Sequence, residues 1–292
     1  MATSGYTTTQ ALNDSKDTVV ASARIVGEHK GVMTKLVEVQ RLAHGTGDAW
    51  KEIALAQLTA QALNETELYE NYQQLSDTAI TITPTYCGIA TLITDPVADR
   101  LSPKSLAQMG VLAGNAMVRK KDKDGLAMLN GFSNSYIPGS GSTLVTGHIS
   151  SCGQQIRAFA DEPGDDPIRC VLHAYQIYDL ANEMTAGLGT YPIPEGETAK
   201  VFRNGFRGQI NGVEVFEDNL ITIDSTPDAI GGVFAKKAII LVEEDIITHE
   251  VERKPNIGIG ANIVYLRASY AYGERQDGWG KKLKSDATTP TS

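Results

Sequence analysis

Residues 49–83 constrain this chain most, because they hold two strand-forming runs and little for those strands to bury against. Trp50 to Leu55 opens the segment, a polar stretch runs from Gln61 to Asp77, and Thr78-Ala79-Ile80-Thr81-Ile82-Thr83 closes it. The closing run alternates polar and apolar residues, the period of a half-buried strand, and Trp50 to Leu55 can supply its partner. The result is a long hairpin that projects with little core of its own. Between residues 45 and 80 the only basic side chain is Lys51, against Asp48, Glu52, Glu65, Glu67, Glu70 and Asp77. Such a charge run is either a solvated face or an acidic arm that grips a neighbour.

The flanking segments give an interleaved pattern. Positions 1–30 are rich in Thr, Ser, Asp and Ala, and they read as a flexible arm, not a signal peptide. Tyr86 to Ile93 is a strand candidate stopped by Thr94-Asp95-Pro96. A helix then starts with Ser102 as N-cap and Pro103 in its first turn. Leu106, Met109, Ala113, Ala116 and Met117 make one apolar stripe on it. The cluster Arg119-Lys120-Lys121-Asp122-Lys123 lies toward its end, where the dipole favours cations, and Asn130-Gly131 should close it.

Residues 133–142 read as a linker to a second lobe. That lobe holds a helix over Leu144–Ala160, a short buried strand at Ile168–Leu172, and a helix carrying Ile177, Leu180, Ala181 and Met184. Segment 187–200, with Gly187, Gly189, Pro192, Pro194 and Gly196, should be a loop. Asn211-Gly212 marks a tight hairpin. Ala238–Val242 and Asn262–Tyr272 are further strands, the latter ended by Gly273, and the polar tail from Lys281 is expected to be disordered. The fold class is α+β, with a discontinuous lobe and no internal repeat.

Chemistry finds no foothold in this pattern. The 292 residues carry a net charge of -9 and no Lys/Arg stripe, so binding to DNA through its phosphates is not expected. Cys87, Cys152 and Cys170 form no CxxC pair and suit free thiols in a reducing compartment. Gly131-Phe132-Ser133-Asn134-Ser135 lacks the closing glycine of a nucleophile elbow, and Gly139-Ser140-Gly141-Ser142 lacks the lysine of a phosphate loop. Gly258-Ile259-Gly260 lacks the third glycine of a dinucleotide site. His249-Glu250 has no second histidine at helical spacing, and His173 reads as a structural histidine. No catalytic residue, metal site or cofactor is predicted.

The order of segments resembles the tailed-phage capsid fold of the Hong Kong 97 type. Ile93-Thr94-Asp95-Pro96 through Gly131-Phe132 is similar to its spine helix, with Ala113-Gly114-Asn115-Ala116 and Lys121-Asp122-Lys123-Asp124 inside it. Val171 to Leu180 resembles the strand-into-helix segment of the A-domain, and Ile210 to Phe216 the reversal after it. Tyr265 to Gly273 is similar to the last P-domain strand.

This resemblance implies an N-terminal arm (1–35), an E-loop hairpin with flanking strands (36–84) and a first P-domain part with the spine helix (85–139). It further implies an A-domain (140–255), a P-domain return strand (256–283) and a disordered tail (284–292). The function implied is a major capsid protein, without enzyme activity. It would assemble in the host cytoplasm into pentamers and hexamers of an icosahedral virion shell around double-stranded DNA. Separate scaffolding, portal and cement proteins are the implied partners, and no membrane is involved. An encapsulin-like compartment subunit shares the fold and is the alternative; a monomeric enzyme is the reading from another class. Trp50, Glu65, Glu67, Glu70, Arg119, Lys120, Lys121 and Lys123 are the expected inter-subunit contacts, the acidic hairpin meeting the basic helix end of a neighbour. The loop bearing Gly187, Gly189, Pro192, Pro194 and Gly196 is expected at the capsomer axis.

Overall fold

The computed structural model describes residues 6–7, 31–43, 47–60, 62, 72–100, 103–133, 138–164, 167–187, 208–244 and 248–290. The first half of the chain supplies β1 (Tyr6–Thr7), α1 (Met33–Leu36), β2 (Glu38–Leu42), β3 (Trp50–Leu55), β4 (Asp77–Ile82), β5 (Thr85–Thr94), α2 (Asp95–Arg100) and α3 (Pro103–Gly131). Then follow α4 (Thr146–Arg157), β6 (Ile168–Leu172), α5 (Ala174–Gly187), β7 (Gln209–Ile210), β8 (Val213–Glu217) and β9 (Asp228–Ala235). The last elements are β10 (Ile239–Glu244), β11 (Thr248–Lys254), β12 (Ala261–Glu274) and β13 (Gly280–Asp286).

Among the described residues these strands form three sheets. The first has the order β1-β5-β12-β10-β2. Its long strand β12 pairs with β5 on one edge, and with β11 and then β10 on the other. The second sheet has the order β13-β9-β6-β8-β7. The third is β3 with β4 alone, the hairpin that the alternating sequence predicts, in the register Trp50↔Ile82 to Leu55↔Asp77. Asn211 and Gly212 take φ of 46° and 79°, the left-handed pair that lets β7 turn tightly into β8.

Helix α3 joins the two larger sheets by packing on β9, β12 and β13. Leu126 and Leu129 on it, and Phe132 just beyond, enter a core shared with Ile149 and Ile156 of α4, Val171 of β6, Leu180 of α5 and Phe234 of β9. Cys152 and Cys170 are buried free thiols in that core, and burial pushes the Cys152 thiol up to about 11, which keeps it inert. No described helix is long and apolar enough to cross a membrane.

Four expectations need correction. Gly273 lies within β12, opposite Ile240, and does not end the strand. A Cβ there would sit 2.3 Å from Ile82 Cδ1, so the glycine makes room for a hairpin side chain. Residues of β10 and β11, placed by sequence in the second lobe, belong to the first sheet; an apolar run signals a strand but not its partners. The tail from Lys281 is not disordered through its described part, because Gly280–Asp286 is edge strand β13 of the second sheet. Leu283 and Ser285 on it are fully buried, and Gln176 Nε2 donates to Ser285 Oγ at 2.7 Å. Finally, the return segment feeds both sheets, β12 the first and β13 the second, so it is not one P-domain strand.

Candidate assembly surface

The β3–β4 hairpin is seated on the first sheet by one face. Trp50 and Ile80 pack on a small cluster made by Leu42, Ile82, Ile240 and Val242. Beside it Arg275 spans two carboxylates. Its Nη1 donates to Glu38 Oε2 at 2.7 Å, and its Nη2 and Nε donate to Glu52 Oε2 at 2.9 and 3.0 Å. Nη1 also donates to the Lys237 carbonyl at 3.1 Å. The Arg275 hydrogen bond holds the Glu38 carboxyl below its ordinary range, although burial opposes it. Past the strands, Ala56 N donates to the Ser76 carbonyl at 2.9 Å and Thr59 N to Gln73 Oε1 at 2.9 Å, so the ribbon continues outward.

The opposite face has no cover within the described chain. Cross-strand pairing puts Lys51, Ile53 and Leu55 on that side with Thr81, Ala79 and Asp77. Ile53 is 63% exposed and Leu55 68% exposed, and Leu58 and Leu75 beyond them are exposed as well. The middle of α3 shows the same property, with Val111, Leu112 and Val118 exposed. Ile259, at the turn joining β11 to β12, is 83% exposed. Apolar side chains on projecting ribbons, turns and one helix flank mark surfaces suited to partners.

The residues singled out by sequence fall in different places. Trp50 is half-buried against its own sheet, and Ile80 and Ile82 are likewise covered, so of these strands' large apolar residues Ile53 and Leu55 face outward. Lys120 pairs with Asp124 in its own helix. Lys121 pairs with Glu243 and lies over the Tyr270 ring, 5.2 Å from its centroid. Arg119 is half-buried, while Lys123 is exposed. The helix cations are thus largely engaged inside the subunit, and their neighbour Asp122 is buried. Glu65, Glu67 and Glu70 lie outside the described residues. Gly187 is the last residue of α5, and Gly189, Pro192, Pro194 and Gly196 lie outside the described residues. No three His, Cys, Asp or Glu side chains come together as metal ligands among the described residues.

Sequence reasoning missed Arg275, Leu55, Leu58 and Leu75. The signal for Leu55 was available, since Ile53 and Leu55 share a face by their spacing of two, whereas Leu58 and Leu75 lie beyond the strands that set this period. Arg275 carried none, because its two partners come from distant segments.

No protein-family model matches the sequence, and no curated protein does. Solved structures do match. The head structure of Helicobacter pylori bacteriophage KHP40 superposes with a TM-score of 0.71 at 12% identity, covering 98% of this chain and 99% of that one. The capsid of cyanophage P-SCSP1u gives 0.69 at 13% identity, covering 93% of each chain. A structure from Mycobacterium phage Che8 gives 0.69 at 16% identity, covering 93% of this chain and 97% of that one. The order of hairpin, spine helix, inserted sheet and long return strand is therefore that of the phage capsid fold of the Hong Kong 97 type.

Proposed function

We propose that the chain is the major head subunit of a tailed phage, assembling into pentamers and hexamers of an icosahedral shell around double-stranded DNA. The observation that carries this reading is the hairpin: its inner face is fastened to the subunit, while Ile53 and Leu55 on its outer face are left in water. A surface of that kind, repeated on identical copies, is satisfied by closed symmetric assembly. Near-complete coverage of the phage structures supports the same conclusion. The subunit's place is then the virion, and the net charge of -9 suits a wall that contains DNA without adhering to it.

Two finer assignments go with this reading. The exposed Lys123, with Arg119, Lys120 and Lys121 behind it, receives the acidic hairpin of a neighbouring subunit, Glu65, Glu67 and Glu70. The segment 187–200, which begins at the last residue of α5, meets copies of itself at the capsomer axis. The test of the whole is light scattering and negative-stain imaging of the purified chain, alone and co-expressed with a scaffolding protein. Rings or closed particles tens of nanometres across are expected. A persistent 31.4 kDa monomer at high concentration under both conditions would overturn the reading.

A further inference from the structure

Asp122 sits in the sequence among the helix cations yet turns into the protein. It is 0% exposed, and Asp218, just past β8, is 1% exposed. Two facing buried carboxyls cannot both ionise cheaply, since each charge loses its water and repels the other. Their hydrogen-bond donors are backbone amides. Met33 N donates to Asp122 Oδ1 at 2.8 Å, Val32 N to Asp218 Oδ2 at 3.2 Å, and Leu220 N to Asp218 Oδ1 at 2.9 Å. The pair thus grips two consecutive amides where the chain passes from its first thirty residues into the fold. Gly31 is pressed against the same carboxyl: a Cβ there would lie 1.9 Å from Asp122 Cγ.

The surroundings are acidic. Asp122 Oδ2 is buried with no donor of its own, and the Tyr272 hydroxyl from β12 is buried in the same condition. Burial first, then the charges of Asp122, Glu243 and Asp124, push the Tyr272 phenol up. Glu243 of β10 and Asp124 of α3 are held by Lys121 and Lys120. What faces Asp122 is therefore Asp218, the Tyr272 phenol and the amide of residue 33, while the amide of residue 32 is turned to Asp218.

We propose that Asp122 and Asp218 form a proton-locked clasp on the strap at residues 31–33, closed while Asp122 carries a proton and released when it loses it. The proton belongs between the two carboxyls, where the otherwise unpartnered Asp122 Oδ2 needs a donor. Burial, and then the hydrogen bond and charge of Asp218, push the Asp122 carboxyl up to about 7 from its ordinary 3.8. A value raised in the folded state fixes the sign: the clasp contributes fully below the ordinary carboxylate range and is lost as pH rises through about 7. Neutral Asp122 is thus the closed form, and alkalinisation frees the strap.

Amide hydrogen exchange on the full-length chain between pH 5 and pH 8, corrected for intrinsic exchange, reads the clasp at Val32 and Met33. Opening should increase on the order of tenfold or more from pH 5 to pH 7 and then level off. Asp122→Asn keeps the shape and a donor but cannot ionise, and it should hold both amides protected with no such rise. Asp218→Asn removes the repelling charge from the other side and should flatten the profile in the same way. A wild-type profile that is already flat, or a variant that folds and retains the full wild-type pH dependence, would overturn the proposal. If neither variant folds, the wild-type series decides alone.

Discussion

Arg275 fixes the pose of the hairpin more directly than any other side chain, because one guanidinium joins Glu38 of the sheet to Glu52 of the ribbon. Hydrogen bonds to charged groups of this kind are each worth about 1.5–3 kcal/mol when a partner is removed. Arg275→Ala should therefore loosen the hairpin base and raise proteolysis near Trp50, while the second sheet stays folded; limited digestion with mass spectrometry would show it. The pH sign here is the reverse of the clasp at Asp122. A depressed Glu38 contributes stability above the ordinary glutamate value of 4.5, and that stability is lost as pH falls through its folded value. Acid should thus free the hairpin base and close the strap, and hydrogen exchange at the two places should move in opposite directions. Gly280→Ala tests packing at the same scale. Its Cβ would lie 2.1 Å from the fully buried Phe132 ring, so a cost of about 1–3 kcal/mol is expected in a denaturant titration.

Elements differed in how plainly the sequence announced them. The β3–β4 pair was legible because alternation and spacing act over a few residues, and the β7–β8 turn because Asn-Gly adopts left-handed angles at little cost. Helix α3 was legible from Pro103 and Gly131, which bound it. Strand β13 was hidden: its inward positions include Ser285, a polar residue whose burial depends on Gln176, more than a hundred residues earlier. The assembly surface was half legible: the projecting ribbon was, whereas the sequence could not show that Trp50, Ile80 and Ile82 are covered by their own sheet and that Ile53 is not. Two expectations follow for these elements. Ile53→Asp with Leu55→Asp should leave the unfolding midpoint nearly unchanged, within about 0.5 kcal/mol, yet abolish particles in negative stain. Leu283→Ala, in contrast, removes a fully buried side chain and should cost about 2–5 kcal/mol before any assembly is asked for.

For the whole molecule, the charge balance decides what assembly can rely on. Single exposed ion pairs contribute only about 0–1 kcal/mol, so the proposed contact of Lys123 with the acidic hairpin gains weight only by repetition around a shell. Lys123→Glu should slow assembly and make it less sensitive to salt, and reversing Glu67 and Glu70 together should partly restore it. Static light scattering over a salt series would show both, and a Lys123→Glu protein that assembles at the wild-type rate would exclude the contact. The chain order has another consequence, felt before any shell exists. Strand β9 pairs on one edge with β6, but its other partner, β13, is translated only after β10, β11 and β12 have gone by. On the ribosome, β9 therefore waits with open amides and carbonyls, in the state that nucleates aggregation. Soluble yield on expression should depend on a chaperone that shelters nascent strand edges during that interval.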